Sequence, residues 1–279
     1  MKKSCCILMA GFFFFSVTLG QTPPNRFREP WKDPSRALVL DPFWRNKLDW
    51  DELVKEPRVA GIIHKATESV WDRKLRRWIP KLDPEYISRR GEAKKRGYKW
   101  GSYHLGRPGN PIQQANFYYS ETRPADDEVM ALDLEDTTDR NFMNLEEAQR
   151  FIERIKELTG RYPLLYTTDK VRKAILNKYG TDGGSVFAKT PLWYARYCDD
   201  ITGVFPSPDP FWPTYKVWQF ASEINCPSVR ASLVKNCSTN RNRKCPLPAP
   251  VPGTDYRMDV NIYDGTVEEL RSNWPFTFK

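Results

Sequence analysis

Asp133 and Glu135 stand two residues apart at the end of an apolar run, Val129 to Glu135. On a strand that spacing turns both side chains to one face. At a rise of roughly 3.3 Å per residue they sit about 6.6 Å apart along the chain. Two more acids hold similar positions: Asp41 directly follows the run Ala37 to Leu40, and Asp259 opens the run Met258 to Tyr263. Buried strands are expensive places for carboxylates that have neither partners nor work to do. Two acids in one confined site repel, which raises one pKa and keeps a proton on that group. A protonated carboxyl beside an ionised one is what cleavage of a glycosidic bond requires. The spacing falls between the retaining and inverting separations and does not choose between them. An isolated Asp-x-Glu describes a solvated strand end equally well; the company of Asp41 and Asp259 favours chemistry.

The elements that must position these acids follow one pattern. From Arg36 onward short apolar runs alternate with amphipathic segments, as in βα units. Strands are expected at Ala37 to Leu40, Ala60 to Thr67, Trp100 to His104, Val129 to Glu135 and Pro163 to Thr167. Helices are expected at Asp49 to Lys55, from Pro84 (with Asp83 as cap) to Gly97, over Pro111 to Ser120, and over Asp169 to Tyr179. The clearest helix starts at Asn144, with Glu147 placed for a capping box, and closes at Gly160. After that, Pro191 to Tyr197, Tyr215 to Ala221 and Met258 to Tyr263 read as strands with no convincing helix between them. Eight strands close a barrel filled by side chains. The expected fold is thus an α/β, TIM-like barrel of five βα units followed by three strands, whose chemistry gathers in the loops at the strand ends.

Lys2 and Lys3, the apolar run Cys5 to Gly20 and the polar Gln21-Thr22-Pro23-Pro24 have the layout of a secretory signal peptide. The run is short for a membrane span. The expected organisation is residues 1–20 as signal peptide, 21–35 as a Pro-rich linker and 36–279 as the catalytic barrel. Stable membrane association after signal cleavage is not expected, and the location is secreted or periplasmic. Hydrophobic content of 40% with 14% aromatics excludes a disordered chain. The formal charge is +9, and without Lys2 and Lys3 42 basic side chains face 35 acidic ones. A basic exported protein suits an anionic polymer such as cell wall; nucleic acid fits the charge but not the export. Cys198, Cys226, Cys237 and Cys245 remain beyond the leader, three of them in the long insertion Glu223 to Arg257. An even count in an oxidising compartment favours two disulfides over a metal site, with three pairings open.

At this point the chain resembles the family 25 glycoside hydrolases, lysozymes of the N-acetylmuramidase type. The resemblance runs in order through Leu40-Asp41, Gly61 to Glu68 with Asp72 beyond, Gly97 to His104 and Gln114-Ala115. It continues through Ala131 to Glu135, Tyr162 to Thr167, Leu192 to Ala195, Val217 to Phe220 and Met258 to Asn261. No single segment is diagnostic; their order and spacing are fairly specific. The resemblance implies a barrel of five βα units plus three strands, no cofactor and no metal. It implies Glu135 as general acid and Asp133 as the carboxylate that steadies developing positive charge, with Asp41 and Asp259 as flanking acids. Tyr103, His104, Tyr166, Trp193 and Gln219 match groove-lining positions, although an aromatic at a strand end is often packing and His104 fits a core histidine as well. The implied substrate is the peptidoglycan glycan strand, cut between N-acetylmuramic acid and N-acetylglucosamine, by a monomer.

The chain departs from the family at Pro42-Phe43-Trp44, where a small β-branched residue and Ser are usual, and at Lys65, often Arg. The stretch Arg73 to Lys99 holds 11 Lys or Arg against Asp83, Glu85 and Glu92. It reads as a solvated helix face or as an insertion toward an anionic wall. A chitinase-like glycosidase is the nearest enzymatic alternative, but its further Asp two residues before Asp133 is Ala131 here. A glycan-binding wall protein without catalysis is the other alternative; all four acids are nonetheless present.

Overall fold

The computed structural model describes residues 30–180, 184–197, 211–224, 226, 246–247 and 249–277. The expected leader therefore lies outside the described residues, as do Cys198, Cys237 and Cys245 of the expected disulfides; Cys226 is buried. No helix among the described residues is long and apolar enough to cross a membrane.

Eight strands close into a barrel. They are β1 (Leu38–Leu40), β2 (Val59–Asp72), β4 (Lys99–Leu105), β5 (Val129–Leu134), β6 (Leu164–Thr168), β7 (Leu192–Ala195), β8 (Val217–Ala221) and β9 (Val260–Tyr263), with β3 (Arg77–Leu82) pairing on the outer edge of β2. Parallel pairing of β1 with β2 shuts the ring, and β9 runs antiparallel to both β1 and β8. Because of that reversal, the start of β9 lies at the same end as the finish of the parallel strands. Asp259 thereby joins Asp41, Asp133 and Glu135 at one mouth.

Around the barrel run α1 (Trp50–Leu53), α2 (Tyr86–Lys95), α3 (Pro111–Thr122), α4 (Leu145–Thr159), α5 (Asp169–Tyr179) and α6 (Val267–Asn273). The helix read from Asn144 has its capping box: Asn144 accepts from the Glu147 amide, and the Glu147 side chain accepts from the Asn144 amide. Its buried face comprises Leu145, Ala148, Phe151, Ile152 and Ile155, so burial of an apolar stripe, more than propensity, holds it on the sheet. Asp83 does not cap α2 as expected. Its carboxylate accepts from the Trp44 and Glu85 amides instead, and the helix starts two residues beyond Pro84.

Alternation along the strands sorts two apolar layers. Val39, Ile63, Ala131, Leu164, Trp193 and Val217 fill the barrel interior, while Leu40, Ile62, Leu132, Leu165 and Trp218 face the helices. Trp274 closes the base of the interior, and its indole N–H donates to the Trp100 carbonyl. A Cβ on Gly61 would stand 2.8 Å from the Trp274 ring, which is why a strand residue here has no side chain.

Two elements differ from expectation. Arg73 to Leu82 does not form a solvated helix face; it turns and returns as β3, so β2 and β3 make a hairpin that projects beyond the mouth. Pro80 argues against a strand by sequence, and it is tolerated because β3 is an edge. The expected linker includes a 3-10 turn, Pro30–Lys32, whose buried Trp31 stacks 4.8 Å from Phe220.

Candidate active site

Each of the sequence's four acids arrives at the mouth on a different structural footing. Asp41 is buried between two carboxamides: Asn261 donates to its Oδ1 at 2.6 Å and Gln219 donates to its Oδ2. Those amides are themselves oriented, since Trp193 donates to the Asn261 oxygen at 2.6 Å and Tyr166 to the Gln219 oxygen at 2.6 Å. Tyr197 also donates to Gln219 and lies 3.0 Å from the Tyr166 hydroxyl. Burial still raises the Asp41 carboxyl well above the usual range, helped by the charges of Asp259 and Asp133 and opposed by the two amides.

Asp133 is 6% exposed, and among the described residues no donor reaches its Oδ1. Burial first, then the Glu135 charge, pushes its carboxyl well up. Glu135 stands higher on the same face and is exposed to solvent, yet the protein mass around the mouth raises it too. Arg107 and Lys65 oppose both shifts. Asp259 is half-buried and raised by its surroundings and by Glu223 and Glu135. Burial first, and then the charges of Asp41, Asp133, Asp259 and Glu135, raise the Tyr103 phenol well above its usual range. Burial, and for Asp133 the Glu135 charge as well, thus disfavours the ionised forms at this mouth.

The residues expected to line a groove divide into three groups. Tyr103, Tyr166 and Gln219 point inward directly under the acids. Trp193 is almost fully buried below them, edge-on to Tyr103 at 5.9 Å and to Tyr166 at 4.9 Å, and forms the floor rather than the wall. His104 does not line the groove. A register shift between Lys65 and Thr67 leaves Lys65 facing in opposite Tyr103 and turns Thr67 outward opposite His104. His104 is accordingly buried against Phe151 at 4.9 Å, 2.7 Å from the Thr67 hydroxyl and 2.9 Å from the Gln114 oxygen. Gln114 in turn accepts from the Arg107 amide and donates to the carbonyls of Arg107 and Gly109. His104 therefore shapes the loop that brings Arg107 to the mouth.

Arg107 and Tyr197 were not singled out by sequence. Arg107 bonds Glu68 at 3.2 Å, and Glu68 bonds Lys65 at 2.8 Å, giving a cation–anion–cation bridge beside the Asp133–Glu135 pair. The position of Glu68 after Lys65 was the one available signal. His64, also outward, receives a hydrogen bond from Arg89 and lies 2.6 Å from the Lys65 carbonyl. Burial lowers His64 to about 3 and His104 to about 4. Their folded values lie below the unfolded 6.5, so the stability tied to their neutral forms is present above pH 6.5 and is lost as pH falls through those values. Nitrogen shifts of both imidazoles should stay those of neutral rings from pH 7.5 to pH 5; a titration near 6.5 would contradict this packing.

Among the described residues no group of three His, Cys, Asp or Glu side chains is arranged to hold a metal ion. The site is a carboxylate site.

The sequence profile of glycosyl hydrolases family 25 matches residues 43–229. The chain belongs to that family. This family 25 hydrolase also has the fold of solved relatives. A bacterial lysozyme from Streptomyces coelicolor aligns at 20% identity over 86% of this chain and 97% of its own, with a TM-score of 0.57. A muramidase from Acremonium alcalophilum aligns at 18% identity, 85% and 98% coverage and a TM-score of 0.58. A family 25 glycosyl hydrolase from Bacillus anthracis gives 19%, 86%, 94% and 0.56. At these identities the likeness concerns the barrel alone. No curated protein matches the chain. The profile match ends short of Asp41 and Asp259, so their place in the hydrolase rests on the barrel geometry described above.

Proposed function

We propose that this family 25 hydrolase is a peptidoglycan hydrolase that cuts the β-1,4 bond between N-acetylmuramic acid and N-acetylglucosamine. The observation that carries the reading is the gathering of four acids at one mouth of the barrel, with Glu135 open to solvent, Asp259 half-buried and Asp41 and Asp133 buried. Glu135 protonates the departing glycosidic oxygen; its raised pKa keeps it protonated further toward neutral pH than a free Glu. Asp133 faces the sugar from below and steadies the positive charge that grows at the ring. Its Oδ1, which no donor among the described residues reaches, suits a donor from the substrate, such as the acetamido N–H. Asp41, held by Asn261 and Gln219, and Asp259 tune the pair and position the strand. Tyr103 and Tyr166 support the sugar from beneath.

A lysozyme and a muramidase are among its structural relatives, and the chain's positive charge suits an anionic wall. Residues 1–20 serve as the export signal, and the barrel acts as a monomer in the secreted or periplasmic space, without nucleic acid. Digestion of purified peptidoglycan should expose new reducing N-acetylmuramic acid ends. Reducing N-acetylglucosamine ends would overturn the bond assignment, and binding without release of any reducing sugar would make the chain a wall-binding protein.

A further inference from the structure

Among the described residues, four of the seven exposed large hydrophobic side chains (Trp44, Val70, Trp71 and Leu75) lie on the β2–β3 hairpin or on the loop that faces it after β1. Clusters of this kind mark interaction surfaces. Between hairpin and loop runs a groove of about 350 Å³, lined by Trp44, Arg45, Lys65, Glu68, Val70 and Lys81 among others. Lys65 joins it to the mouth, because the side chain that lines the groove sits on β2 opposite Tyr103, on the inward face of the barrel. The groove is therefore an outward continuation of the catalytic site.

Its charges are unevenly committed. Glu68 is neutralised by Lys65 and Arg107, and Asp83 accepts from two backbone amides. Arg45 lies over the Trp44 ring at 4.7 Å, and among the described residues neither Arg45 nor Lys81 has an acidic partner. Two exposed cations beside an exposed indole thus await an anion. Glycan sugars whose lactyl groups carry peptide are neutral, so the sugars themselves offer these cations nothing to pair with. The peptide branches do, through their free carboxylates, and their apolar parts fit the Trp44 and Val70 surfaces.

We propose that the groove is a subsite for the acidic peptide branch of the strand being cut, so that this hydrolase favours peptide-substituted glycan. The inference rests on the peptidoglycan reading above. The segments that build the groove, Pro42-Phe43-Trp44 and the hairpin, are where the sequence departs from the family pattern or adds to it.

The test compares intact purified peptidoglycan with the same strands stripped of peptides by an amidase. On intact material, Arg45→Glu with Lys81→Glu should raise KM about tenfold with kcat within about twofold. Trp44→Ala, at a side chain already 45% exposed, should raise KM about fivefold. Stripping frees a lactyl carboxylate on each N-acetylmuramic acid, but that group stays at the sugar and does not extend into the groove, so on stripped strands both variants should match the parent. The charge control is Arg150→Glu with Lys173→Glu on the outer helices, which leaves KM close to that of the parent. A KM for the groove variants equal to the control's on intact material overturns the proposal. Equal losses on stripped strands overturn it as well, by making the glycan the occupant. If the parent releases no reducing sugar from either polymer, the hydrolase reading fails instead. Sedimentation of Glu135→Gln protein, with and without the groove changes, on the two polymers then reads the subsite without turnover.

Discussion

Glu135→Gln is expected to lower kcat on peptidoglycan by a factor of roughly 10² or more while leaving sedimentation with the insoluble polymer nearly unchanged. Gln keeps the size and the polarity of the side chain and removes only the transferable proton. Glu135 is exposed, so the change disturbs no packing. Its neighbours sharpen the prediction. Burial around the mouth raises the Glu135 carboxyl above the usual 4.5, and Asp136 adds to this, while Arg107 and Lys65 oppose it. The acid form therefore persists toward neutral pH, and kcat/KM of the parent should fall as pH rises through that elevated value. In Glu135→Gln this alkaline limb should vanish along with most of the rate. A variant with parental turnover would remove Glu135 from the mechanism.

Asp133→Asn should separate stability from activity. Asp133 is nearly buried, and among the described residues no donor reaches one of its carboxylate oxygens, so the fold holds its negative charge at a disadvantage. Its folded pKa lies well above the unfolded 3.8. The folded state then binds more protons than the unfolded one, and stability declines as pH rises from about 3.8 to the folded value, remaining lower beyond it. Removing the charge should raise Tm at pH 7 by about 4 °C, equivalent to on the order of 1–2 kcal/mol in a chain of this size. The gain should shrink toward zero near pH 3.5, where the parent carboxyl is protonated in both states. Turnover should fall by roughly 10² because the developing charge on the sugar loses its nearest carboxylate. Calorimetry at the two pH values checks the first part, and a lower Tm at pH 7 would contradict it. The pattern is that of an active site held in place at the expense of fold stability.

Much of this arrangement was legible in the residues. Continuous apolar runs marked the eight barrel strands, and acids at their ends marked the mouth, because few sequences place carboxylates beside buried strands without cause. The capping signals at Asn144 and Gly160 located α4 at both ends. What stayed hidden depended on non-local pairing. A strand containing Pro80 reads as a loop until its edge position is known. The outward turn of His104 follows from a register shift in β2 that no periodicity reveals, since strict alternation from Lys65 would have turned Thr67 inward. Arg107 lies in a loop whose path is set by Gln114, 7 residues on. Helix α6 is too short for an apolar stripe to mark it, and its one local sign is the capping box of Thr266 and Glu269.

The most direct test of the central claim uses the silenced Glu135→Gln protein, crystallised with a peptidoglycan oligosaccharide spanning the site. The account predicts the bridging glycosidic oxygen within about 3.2 Å of residue 135, with the acetamido N–H of the adjoining sugar directed at Asp133. A strand bound with that oxygen beyond about 6 Å from residue 135, or on another face of the barrel, would contradict it.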